Sequence, residues 1–133
     1  AGSVKIITQG CPGLVESVER SDLQSVEVRH LIERYTAPLL AQGADTLILG
    51  CTHYPFLAPL IRDMVGKNIT LVDTGEAVAR QLQRRIQAEL PERISGEATA
   101  KFFTSGDAAQ ASRIMSLLWG EDIVAMELPE SFS

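Results

Sequence analysis

The feature that most constrains this chain is an alternation. Short apolar runs at Val4 to Thr8 (VKIIT), Thr46 to Gly50 (TLILG), Ile69 to Asp73 (ITLVD), Thr99 to Thr104 (TAKFFT) and Ile123 to Leu128 are separated by longer stretches of helical period. Between the first two runs, Val28, Leu31, Ile32, Tyr35, Leu39 and Leu40 fall on one face of a helix expected over Val26 to Gln42, with a kink at Pro38. A second helix is expected from Pro55 to Val65, with Leu57, Leu60, Ile61 and Met64 inward and Gly66 as its stop. A third runs from Gly75 to Leu90 with Val78, Leu82 and Ile86 inward, and a fourth starts at the N-cap Asp107 and runs to Gly120. Strands alternating with helices imply a mainly parallel sheet with helices on its faces, so the expected fold class is α/β. The most linker-like stretch is PERISGEA, residues 91–98.

With 133 residues the chain is long enough for one compact domain that buries roughly two-thirds of its unfolded surface. Hydrophobic residues at 45% and charged residues at 22% place it among globular rather than disordered chains. A net charge of −5, with twelve basic residues spread along the helical stretches, gives no footprint for nucleic acid. No apolar run approaches the ~20 residues of a membrane span, so neither membrane nor nucleic acid is an expected partner and a cytoplasmic location is expected. There the two cysteines are expected to stay reduced.

The chemistry gathers at one place. In an open parallel sheet, ligands bind beyond the carboxyl ends of the strands, and Cys51, Thr52 and His53 stand at such an end with a helix about to begin. Unpaired N–H groups of a first helical turn attract anions, so a carboxylate would dock against Thr52 and the amides that follow. The same field, and His53, would lower the pKa of Cys51 toward the operating pH, where a thiol both takes and returns a proton. The residues alone leave two readings open, this one and a small buried thiol beside a helix-capping histidine. Cys11 also follows an expected strand, and its carboxyl end would lie on the same sheet edge as Cys51. Two thiols on one edge cannot flank a substrate, and Pro12 holds Cys11 extended, so a packing role is preferred for it. Glu16 and Glu19, in the expected loop after Cys11, are placed to reach the same edge. No CxxC or HxxxH spacing supports a metal site, and TSGD, residues 104–107, reads as a helix cap rather than a phosphate loop.

Taken together, LILGCTHYPFL, LVDTGEAVARQL and FFTSGD resemble three consecutive blocks of the glutamate racemase family, and Cys11, Pro12, Val18 and Glu19 match a fourth, CP…VE. Within the wider aspartate/glutamate racemase superfamily, His53 separates the glutamate enzymes from aspartate racemases, which usually carry a glutamate there. The departures are Gly13, Glu16 and Ser17, where the family commonly reads CPLFVPLVE. The resemblance implies two pseudo-symmetric α/β domains, no cofactor, and a cysteine on each side of the substrate's α-carbon. Cys51 matches the second of those cysteines, Thr52 and His53 the substrate-contacting pair, with His53 assisting its cysteine, and Glu19 a glutamate acting near the site. The first cysteine's block belongs to the family's N-terminal half, which this sequence does not match. By the same resemblance, residues 1–74 are the domain carrying the second cysteine, and 75–133 cross back to pack on the other half, with the boundary between 74 and 98. The expectation is the C-terminal part of a glutamate racemase that supplies D-glutamate for peptidoglycan and is inactive without its companion half. Dimers are common in that family. A non-catalytic module retaining the motif, and a racemase or decarboxylase of other substrate, stand as the alternatives.

Overall fold

A computed structural model describes residues 4–90 and 99–129, and these fall into two compact units that divide between Arg80 and Gln81. The first contains helix α1 (Leu14–Glu19), helix α2 (Val26–Ala41), strand β1 (Thr46–Leu49), a 3-10 turn (Tyr54–Leu57), helix α3 (Ala58–Val65), strand β2 (Thr70–Asp73) and the start of helix α4 (Gly75–Glu89). The second contains the rest of α4, strand β3 (Phe102–Thr104), helix α5 (Ala108–Trp119) and strand β4 (Ala125–Glu127). The architecture is α/β, and both strand pairs are parallel.

In the first unit, β1 and β2 pair from Thr46 opposite Thr70 to Leu49 opposite Asp73. Parallel pairing brings both carboxyl ends to one edge, which puts Gly50 and Cys51 beside the Asp73–Gly75 turn. Asp73 Oδ1 accepts from Gly75 N at 2.8 Å and tightens that turn. Leu47 and Leu49 point into a core with Leu14, Val18, Val28, Ile32, Leu57, Leu60 and Ile61. The alternate face is open, since Ile48 is 67% exposed. That alternation is the pattern of a sheet covered on one side only.

Local chemistry accounts for the helix ends. Ser25 caps α2 by accepting from Val28 N at 3.2 Å, and Asp22 in turn accepts from the Ser25 amide at 3.1 Å and hydroxyl at 2.6 Å. Pro38 removes one N–H from α2, yet the helix runs on to Ala41. In the second unit, Asp107 caps α5 as expected, its Oδ1 accepting from Gln110 N at 2.6 Å, and Gly120 ends it in the left-handed region. Ser112 and Ser116 on α5 accept from the amides of Ala125 and Ile123, at 2.9 and 2.8 Å, and so fasten β4 and its approach to the helix.

Several expectations need correction. Val4 to Thr8 forms no strand, and Val4 and Ile6 are 85% and 86% exposed. β-branched composition makes a strand only where a neighbour completes the hydrogen-bond ladder, and among the described residues no strand pairs with this run. The region after Cys11, expected as loop, forms α1. The expected helix from Pro55 begins instead as a 3-10 turn, because Pro59 has no N–H for the carbonyl of Pro55, which accepts from Ala58 N three residues on. Finally, the α4 residues expected inward are not: Val78 and Leu82 are 65% and 58% exposed, and no residue of α4 is buried. The stripe is amphipathic as read, but no surface among the described residues covers it. The linker-like residues 91–98 lie outside the described residues.

Candidate active site

β1 ends at Leu49, and the chain then turns sharply through Gly50 to His53. Tyr54 N donates to the Cys51 carbonyl at 3.2 Å, and Phe56 N to the His53 carbonyl at 3.2 Å. These bonds change the expectation of a helix N-terminus open to anions. The Tyr54 and Phe56 amides are already used, and Pro55 has none. The Thr52 hydroxyl, on an exposed residue, keeps its place at this turn.

The side chains form a chain of contacts centred on His53. Its Nδ1 lies 4.0 Å from Cys51 Sγ and 3.4 Å from Thr52 Oγ1, and its Nε2 lies 3.4 Å from Glu19 Oε1. A neutral imidazole that donates Nε2–H to a carboxylate keeps its Nδ1 lone pair as an acceptor. That acceptor faces the thiol. The imidazole thus stands between a carboxylate and a sulfur, an arrangement that can pass a proton from one side to the other. Glu19 arrives there because it is the last residue of α1, whose Leu14 and Val18 are buried while Glu19 projects outward. Cys51, Thr52, His53 and Glu19 are thus brought together, and Glu16 stays exposed one helical turn earlier.

Cys11 is half-buried and donates to the Gln9 carbonyl at 3.5 Å. Burial raises its thiol above the ordinary cysteine range; a hydrogen bond from Tyr54 opposes the rise, and the charge of Cys51 adds to it. The two sulfurs are therefore near enough to feel one another. Cys11 does not stand at a strand end as expected, so a shared sheet edge does not fix its place relative to Cys51. Tyr54, which sequence reasoning passed over, borders both thiols: burial first, then the charges of Cys11 and Cys51, push its hydroxyl up to about 12. The signal that could have found it is its place three residues after Cys51, the reach of one tight turn. Among the described residues no group of three or more His, Cys, Asp or Glu side chains is arranged to hold a metal ion.

The thiol and imidazole at the end of β1 and the carboxylate at the end of α1 thus meet on one parallel α/β unit. Residues 6–82 match the Asp/Glu/Hydantoin racemase family, and the chain belongs to that family. It is 49% identical over 129 residues to a glutamate racemase of Stutzerimonas stutzeri, covering 97% of this chain and 48% of that protein. It is 53% identical over 121 residues to one of Pseudomonas putida, covering 90% and 45%. Among solved structures it is similar to the glutamate racemase isoform RacE1 of Bacillus anthracis, with a TM-score of 0.81 and 28% identity over 92% of this chain and 46% of that one. It is similar too to the Thermus thermophilus glutamate racemase in complex with beta-chloro-D-alanine, with a TM-score of 0.79 and 25% identity over 92% and 47%. The chain spans about half the length of the curated relatives it matches.

Proposed function

We propose that this chain is the C-terminal part of a cofactor-independent glutamate racemase, interconverting L- and D-glutamate in the cytoplasm for peptidoglycan synthesis. The observation that carries the reading is the run of contacts from Glu19 through His53 to Cys51, beside a hydroxyl at Thr52 that can hold a carboxylate. Removing a proton next to a carboxylate needs a base held against the α-carbon. Cys51 is that group: His53 accepts its proton, the thiolate then takes the substrate's α-proton, and a thiol on the far face returns one with inversion. Glu19 steadies the imidazolium while it holds the charge. Thr52, with His53, holds the substrate.

The far-face thiol comes from the companion half. In this reading residues 1–74 carry the site, and 75–133 cross back to pack on that half. The open apolar stripe of α4 supports this, as does the match to about half of each relative. Among the described residues no helix is long and apolar enough to cross a membrane. The assembled enzyme is proposed to pair with a second copy.

The test is reconstitution. Mixed with a separately produced N-terminal half of a close relative, the chain is expected to racemise glutamate and to exchange its α-proton with D2O, as followed by NMR. Cys51→Ala is expected to lower that rate about a thousandfold or more, and Cys11→Ala to leave most of it. Racemisation by the 133-residue chain alone would refute the need for a companion. No activity in the reconstituted pair, with both halves folded, would refute the substrate.

A further inference from the structure

Glu19 and His53 meet across 3.4 Å, but neither residue holds the helix that makes the meeting possible. α1 has six residues, no side-chain N-cap and no basic residue in its last turn, too little to be stable by its own hydrogen bonds. Its position is set from outside. Tyr35, buried on the inner face of α2, donates its hydroxyl to the Pro12 carbonyl at 2.7 Å, one residue before the chain turns into α1. At Gly13 the backbone takes φ +91°, and a Cβ there would lie 3.2 Å from Leu31 Cδ1, so α2 is seated directly against the start of α1. The Gly13 carbonyl in turn accepts from the wholly buried Ser17 hydroxyl at 2.8 Å.

We infer that Tyr35 is a positioning residue for the proton-transfer site: its hydroxyl fixes the Pro12 carbonyl, and so the start of α1, at the place from which Glu19 reaches His53. A phenol suits the task because its body packs in the core while its single polar atom reaches a partner. A carboxylate steers an imidazole only over a few tenths of an ångström, so a small loosening of α1 is enough to part them. The catalytic meaning rests on the proposed function. The positional claim does not.

The test therefore needs no turnover. In the 133-residue chain, the ring 15N and Cε1–H resonances of His53 report its contact with Glu19, and His30, the other histidine, serves as internal control. Glu19→Gln is expected to displace the His53 signals. Tyr35→Phe, which removes one oxygen, is expected to displace them in the same direction by at least about half as much, with the double variant no further displaced than Glu19→Gln alone. The His30 signals should stay in place. Gly13→Ala, which disturbs the same junction without touching the phenol, is expected to act like Tyr35→Phe, and whichever variant stays folded decides. His53 signals unmoved by Tyr35→Phe, or displacements that simply add in the double variant, overturn the inference. If they are unmoved by Glu19→Gln as well, the contact to be positioned is absent and the inference fails. No racemisation by the reconstituted pair, alongside displaced signals in this chain, would count against the proposed function and leave the positioning role standing.

Discussion

Two neighbouring thiols are set apart by their surroundings. Cys11 is pushed above the usual thiol range by burial and by the charge of Cys51, so at neutral pH it stays protonated and a poor nucleophile. Iodoacetamide is expected to label Cys51 before Cys11, with peptide mass spectrometry showing Cys11 labelling still climbing above pH 9. Equal rates at pH 7 would contradict this. Tyr54 offers a second check. Its hydroxyl ionises near pH 12, so absorbance at 295 nm should show a late phenolate step that Tyr54→Phe abolishes and Cys11→Ala brings to lower pH. Because the neutral phenol is favoured by the folded state, Tyr54's contribution to stability is present below pH 10 and is lost as pH rises toward 12. Cys51, Thr52 and His53 were legible as a group because they are contiguous and sit at a strand end. The contact with Glu19 was not legible from spacing, since it depends on α1, and it entered through family resemblance alone. For Tyr54, only the nearness to Cys51 is written in the spacing; the influence of Cys11 on it comes from the fold.

At the scale of elements, what was legible is what its own chain determines. α2 and α5 carry side-chain caps and a full apolar stripe, and both fall within a residue or so of expectation. α1 carries neither. Its first turn starts from a glycine in the left-handed region, where an expected helix would show serine or aspartate. Two substitutions separate these cases. Ser25→Ala should cost about 1 kcal/mol of folding stability, the usual effect of losing an N-cap. Gly13→Ala should cost about 1–2 kcal/mol, since an L-residue is strained at φ +91° and its Cβ meets Leu31. Urea unfolding measures both, and a neutral Gly13→Ala would show that α1 can be re-seated. Val4 to Thr8 failed for the opposite reason: a strand is a property of two segments, and its composition describes only one.

For the whole molecule, the largest misreading was of covering rather than of structure. The α4 stripe was identified residue by residue, but periodicity shows which face is apolar and never what lies upon it. If the companion half covers that face, the isolated chain should bind anilinonaphthalene sulfonate, and adding the companion should release the dye and raise the midpoint of thermal unfolding. Dye retained by an active mixture would place the companion elsewhere. The open stripe also carries a physical liability. Apolar surface without a cover is what like chains aggregate through, so this chain by itself should grow more prone to aggregation as its concentration rises.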